Sequence, residues 1–166
     1  LGTALLEEAL LLRTSGISAP TLSWLTPIHE DFESALIHDI DLAIPSRDHL
    51  SAVMKAATIT KKVPRIHLEV DTGMSRGGAL SDWNALLHAT SDLVKSNRVE
   101  VIGIWSHFAR ADEPESSFTD QQISTFEEKI YELKSVGINP KFISRDTKIS
   151  HAKSATIEHQ IRNWRA

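Results

Sequence analysis

A chain of 166 residues is long enough for one domain with a real core, and its 41% hydrophobic and 24% charged content excludes intrinsic disorder. A formal net charge of −4 leaves no basic surface for phosphates, so no nucleic-acid partner is expected. Zero cysteines exclude disulfides and thiolate metal sites and suit a reducing, cytoplasmic location.

The apolar run Ala9 to Leu12 is too short to span a bilayer and follows Glu7 and Glu8, so no membrane contact is expected. Because the first residue is Leu1 rather than methionine, residues are expected to be missing upstream. Ala4 to Arg13 reads as a helix that stops before the Gly16 turn. TLSWL, Thr21 to Leu25, has the short apolar, β-prone look of a buried strand. Pro27 and Asp31 introduce a helix carrying Phe32 and Leu36, and a short strand follows over Asp41 to Pro45. Ser46 can cap the next helix, which puts Leu50, Val53, Met54 and Ala57 on one face.

Pro64 then leads into a strand over Arg65 to Asp71. Ile66, Leu68 and Val70 alternate with His67, Glu69 and Asp71, so one face is polar. Glu is disfavoured within strands, and in a sheet covered on both sides such a face must find partners. From Leu80 an amphipathic helix carries Trp83, Leu86, Leu87 and Val94. Val99 to His107 is the strongest strand, rich in β-branched residues. Thr119 with Gln122 three residues on has the form of a capping box, opening a helix that packs Ile123, Phe126, Ile130 and Leu133 inward. A last strand candidate lies within Phe142 to Ser154.

Strand and helix alternate with a period of ~20–35 residues, which suits βαβ units and a parallel sheet. Five or six strands fall short of a closed eight-stranded barrel of about 250 residues. The pattern fits either a small open α/β sheet or part of a barrel. In such folds the working residues gather where strands end at their carboxyl edge. Three stretches have that character: Glu69 and Asp71 running into TGMSRGG, His107 followed by FARADEPE, and HAKSAT from His151 to Thr156.

Each stretch also has a plainer reading. Asp71 and Thr72 before Gly73 form an ordinary turn signal, Arg76 a solvated loop arginine, His107 a hydrogen-bonded structural histidine, and Ser154 a surface serine. No zinc spacing, P-loop or G-x-S-x-G elbow occurs, so no metal is expected.

Taken together, the three stretches resemble a specific family. HLEVDTGMSRGG, His67 to Gly78, is similar to the H-L-K-V-D-T-G-M-x-R-x-G signature of alanine racemases. GIWSHFARADEP resembles their G-x-x-[ST]-H-F-A-x-A-D-E segment, HAKSAT their H-x-x-N-S-A-A, and LGTALLEEALLLRTSGISAP their opening F-G-V-A segment. The likeness runs in order from Leu1 to about Ser154.

The resemblance implies a pyridoxal 5'-phosphate enzyme that interconverts L- and D-alanine for bacterial peptidoglycan. It also implies an eight-stranded α/β barrel, a mainly β carboxyl-terminal domain, and a homodimer. Residues 1–166 would then be a partial (β/α)8 TIM barrel with a parallel sheet, roughly strands two to seven, without the first strand or the carboxyl-terminal domain. By the same resemblance Arg76 hydrogen-bonds the cofactor's phenolic oxygen and helps place the substrate carboxylate. His107 bonds the arginine that faces the pyridine nitrogen, and Ser154 binds the cofactor phosphate. Asp71 and Thr72 belong to the motif and fix the loop that aims Arg76.

Two positions depart from the family pattern. Glu69 stands where many members have a lysine that is carbamylated in several of them, and it is expected to supply the same negative charge to Arg76 by a charge-assisted hydrogen bond. Lys153 stands where asparagine is usual. The family's cofactor lysine motif, V-x-K-A-[DN]-A-Y-G-H-G, does not occur here, and Tyr131, the sole tyrosine, matches nothing catalytic. Residues 1–166 alone are therefore expected to be inactive, and an opened barrel with bare strand edges to self-associate. Two alternatives stand beside this reading: a non-catalytic module binding pyridoxal phosphate or another phosphate compound, and another pyridoxal-phosphate enzyme of the same barrel type.

Overall fold

Parallel strands and helices alternate throughout the computed structural model, which describes residues 1–111, 113 and 117–146. The order is β1 (Gly2–Thr3), α1 (Leu6–Thr14), β2 (Leu22–Ser23), α2 (Phe32–Ile37), β3 (Asp41–Ile44) and α3 (Arg47–Thr60). It continues with β4 (Arg65–Glu69), α4 (Trp83–Lys95), β5 (Glu100–His107), α5 (Ser117–Ser135) and β6 (Phe142–Asp146). Local chemistry starts the helices. Asp31 accepts from the Ser34 N–H at 3.0 Å, Ser46 from the His49 N–H at 3.3 Å, and Glu8 reaches back to the Leu5 N–H at 2.9 Å.

The six strands form one sheet in the order β1 to β6, each pair parallel. A doubly wound sheet reverses its strand order at a switch point, whereas a barrel adds each strand beside the last. This order never reverses. The fold is α/β, an arc of a (β/α)8 barrel, which decides between the two architectures that the alternation allowed.

Register sorts the side chains of the central strands onto two faces. Leu42 pairs with Ile66, Ile44 with Leu68, and Leu68 with Ile104. These side chains join Leu50, Val53, Leu86, Leu87 and Phe126 of the helices in one hydrophobic cluster. Asp41, Ala43, His67, Glu69, Gly103 and Trp105 occupy the other face, the inner wall, where Ala43, His67 and Gly103 pair in a row and Glu69 lies beside Trp105. A register shift between Ile66 and His67 leaves Ile102 as an extra residue on β5. Because of that shift, Val101 and Ile104 both face the helices.

The polar face of β4 is paired inside the arc. Arg65 grips Asp41 through Nε at 2.7 Å and Nη2 at 3.1 Å, and His67 Nε2 lies 3.4 Å from the same carboxylate. Burial pushes the Asp41 carboxyl up, but hydrogen bonds from His67 and Arg65 outweigh it and hold the group below its ordinary value. The His67 ring lies over Gly103 and stacks on Phe142 of β6, with centroids 6.4 Å apart.

Several boundaries differ from the sequence expectation. The chain opens with the two-residue strand β1, and α1 starts at Leu6 rather than Ala4. Thr119 does not cap α5, which already includes Ser117. Its hydroxyl donates instead to the Arg110 carbonyl at 2.8 Å, and Gln122 is fully buried. The last strand covers Phe142–Asp146, and the remainder of that candidate lies outside the described residues. Among the described residues, no helix is long and apolar enough to cross a membrane.

A methyl group at position 103 would sit 2.9 Å from His67 Cε1, nearer still to Nδ1, and 3.1 Å from the Phe142 carbonyl oxygen. Gly103→Ala is therefore expected to destabilise the fold by about 1–3 kcal/mol through overpacking. Adding His67→Ala should recover part of that loss in denaturant unfolding; strictly additive losses would show that the ring is not what Gly103 accommodates.

Candidate active site at the carboxyl edge

Immediately after β4 the chain makes a tight return. The Ala79 N–H donates to the Glu69 carbonyl at 2.8 Å, and the Asp71 N–H donates back to the Ala79 carbonyl at 3.1 Å. Gly78 makes this possible. It has φ +100°, and a β-carbon there would lie 2.5 Å from the Asp71 nitrogen and 2.6 Å from the Val70 carbonyl carbon.

Asp71 organises the turn from inside. Its Oδ1 accepts from the Gly73 N–H at 2.8 Å and the Ser75 N–H at 3.1 Å, with Gly73 at φ +127° and Ser75 at φ +58°. Thr72 is tied down separately by Ser106 of β5, the two hydroxyl oxygens lying 2.9 Å apart. This pinned segment carries Arg76, which is exposed.

Glu69 lies beneath that loop, 7% exposed. Its Oε1 is 3.1 Å from where a β-carbon of Gly77 would stand, so the loop beside Arg76 packs closely on this carboxyl and a side chain at 77 would push it aside by a few tenths of an ångström. Burial raises the Glu69 carboxyl from the ordinary 4.5 to about 7; the Arg76 charge opposes that rise and the Asp71 charge adds to it. Among the described residues, no direct hydrogen bond or ion pair of Glu69 with Arg76 occurs. The two are coupled through the field, and the expected charge-assisted bond is not made.

Beside Glu69 stands Trp105, and two residues further along the inner wall is His107. Their rings meet edge to face at 4.9 Å and 82°. His107 is half-buried at the carboxyl end of β5. Gln122 of α5 fastens this end of β5 to the Arg76 loop. Its Nε2 donates to Thr72 Oγ1 at 3.1 Å and more weakly to the His107 carbonyl at 3.4 Å, while its Oε1 accepts from the Ala109 N–H at 2.9 Å. Sequence reasoning assigned Gln122 to a helix cap. The signal for its real place was a glutamine one turn before Phe126 on the buried stripe of α5.

Thus Glu69, Asp71, Thr72, Arg76 and His107 gather at one carboxyl edge, joined by Trp105 and Gln122, which the motifs did not single out as site residues. Ser154 lies outside the described residues. A parallel arc whose polar, partly cationic candidate site opens at the carboxyl ends of the strands places the chain in the α/β-barrel class.

The family follows from comparison with known proteins. The model of the alanine racemase N-terminal domain matches residues 1–159, and the chain belongs to that family. It is 39% identical over 147 residues to an alanine racemase of Salinispora tropica, covering 86% of this chain and 38% of that protein. An alanine racemase of Frankia casuarinae is 43% identical over 141 residues, 84% of this chain and 37% of that one. Among solved structures, alanine racemase from D-cycloserine-producing Streptomyces lavendulae matches with a TM-score of 0.84 at 34% identity, over 87% of this chain and 38% of that chain. A histidine racemase from Leuconostoc mesenteroides matches with a TM-score of 0.71 at 27% identity, over 87% and 38%. The chain thus spans less than two-fifths of the length of these relatives.

The raised Glu69 carboxyl has a consequence for stability. A group held above its unfolded value contributes stability that is complete below about 4.5 and is lost as pH rises through about 7. Wild-type protein is expected to lose on the order of 3 kcal/mol across that window relative to Glu69→Gln, which cannot ionise. Unfolding free energies of the two proteins that run parallel from pH ~4.5 to above ~7 would contradict it.

Proposed function

We propose that this chain forms the binding wall of a pyridoxal-phosphate-dependent alanine racemase, interconverting L- and D-alanine. The observation that carries the proposal is the convergence of Arg76, Glu69, Trp105 and His107 at one strand edge within a chain of the alanine racemase family. The residues present suit an anionic cofactor. Arg76 is a cation on a pinned loop, and a buried indole N–H at Trp105 has no partner among the described residues. Glu69, raised to about 7, is neutral for part of the time at neutral pH and then leaves the arginine's charge to a ligand.

In this reading the cofactor supplies an electron sink that acidifies the substrate's Cα–H. Arg76 stabilises the ring's phenolic oxygen as an anion and orients the substrate carboxylate, a task for which a guanidinium offers paired donors. By resemblance His107 would hold the arginine that faces the cofactor's pyridine nitrogen, and Ser154 would take the phosphate. Asp71, Thr72 and Gln122 keep the loop and β5 in fixed relation, and Glu69 tunes the field at Arg76. None of these groups is assigned the proton transfer at Cα. The product would serve peptidoglycan synthesis in a cytoplasmic homodimer.

The test is racemisation by the natural full-length protein, with alanine and histidine as substrates because one structural neighbour is a histidine racemase. Wild type is expected to bind pyridoxal phosphate and to prefer alanine. Arg76→Ala should lower kcat/KM about 100-fold while changing stability by under about 0.5 kcal/mol, since Arg76 is exposed. Wild-type turnover by Arg76→Ala, or no cofactor binding by wild type, would overturn the proposal.

A further inference from the structure

Trp105 is 6% exposed, and its Nε1 is a buried donor without a hydrogen-bond partner among the described residues. A buried indole N–H normally finds an acceptor, because leaving it unpaired forfeits the hydrogen bonds that water would have made. Its place in the fold indicates where that acceptor comes from. Trp105 is absent from the hydrophobic cluster shared with the helices, although it too is buried. Register sets it beside Glu69 on the inner wall, and its ring abuts His107. The neighbouring hydroxyl and amide groups at this edge are committed elsewhere: Ser106 and Thr72 to each other, Gln122 to Thr72 and the Ala109 N–H.

We propose that the Trp105 indole N–H is a ligand-binding donor of this site and hydrogen-bonds an anionic oxygen of the small molecule held against Glu69, Trp105 and His107. The proposal rests on the reading of this wall as a cofactor and amino-acid site. It adds a residue that the motif correspondence leaves without a role. Two sources offer the required oxygen, the cofactor itself and the substrate carboxylate. An indole N–H suits either one, because it donates without bringing a charge or a titratable proton. It would complement the guanidinium, which supplies charge from the exposed loop.

The experiment uses the natural full-length protein and two equilibrium titrations: pyridoxal phosphate into the cofactor-free form, and propionate, which has the carboxylate but no amine, into the loaded form. Trp105→Phe keeps an aromatic ring and removes the donor together with the smaller ring of the indole. It is expected to weaken one of the two affinities about tenfold. Trp105→Tyr, which restores a donor, should regain part of the affinity. If Trp105→Phe does not fold, the indole 15N–H resonances of wild type serve instead: one tryptophan signal should move downfield when the donor is engaged, and none moving would overturn the proposal.

A loss confined to the cofactor titration places the acceptor on the cofactor, and a loss confined to propionate places it on the substrate carboxylate. Unchanged affinities of Trp105→Phe in both titrations would overturn the proposal by showing that the indole donor binds neither the cofactor nor the substrate carboxylate. Absence of cofactor binding by wild type would instead remove the underlying functional reading, so the two failures are distinguishable.

Discussion

Arg65, His67 and Glu69 share one face of a strand whose two flanks are occupied by other strands, and that face must be satisfied without free access to water. The site follows from how this is done. Asp41 on the neighbouring strand takes both Arg65 and His67, a bidentate grip plus a second contact on the same carboxylate. Just past the strand, Asp71 spends its carboxylate on the amides of its own loop. Glu69 is left between these two solutions with no countercharge in contact among the described residues, and burial keeps its proton on up to about neutral pH.

That arrangement shapes the loop above it. The carboxyl lies against Gly77, the Gly78 backbone crosses the end of β4 closely, and Arg76 is presented between two fixed points. A lysine at position 69 would place a second cation near Arg76 unless modified. A glutamate avoids that repulsion in either protonation state. When ionised it attracts the guanidinium, and when neutral it leaves the whole arginine charge available to a ligand. The field at Arg76 thus depends on a group that changes charge within the physiological range.

Much of this was legible in the residues. The alternating Ile66, Leu68 and Val70 fixed which face of β4 packs on helices, and the motif segments placed Asp71, Thr72, Arg76 and His107 at strand ends. Other features were hidden for physical reasons. The extra residue at Ile102 shifts register without changing composition, because Val, Ile and Gly around it suit either face. Gly103 reads as a neutral strand residue until its neighbour is known to be the His67 ring. Gln122 satisfies a capping pattern and a buried bridging role equally well, and only the third dimension tells them apart. The protonation of Glu69 depends on depth of burial, a property of the packed sheet rather than of the strand.

The coupling of Glu69 to Arg76 can be measured directly from the carboxyl C=O stretch in infrared difference spectra, assigned by its loss in Glu69→Gln. The band should disappear with a midpoint of about 7. Arg76→Ala should move that midpoint upward, because the cation that favours ionisation has been removed. A midpoint near the ordinary 4.5, or one that Arg76→Ala leaves in place, would contradict a buried carboxyl in electrostatic contact with the arginine of this site.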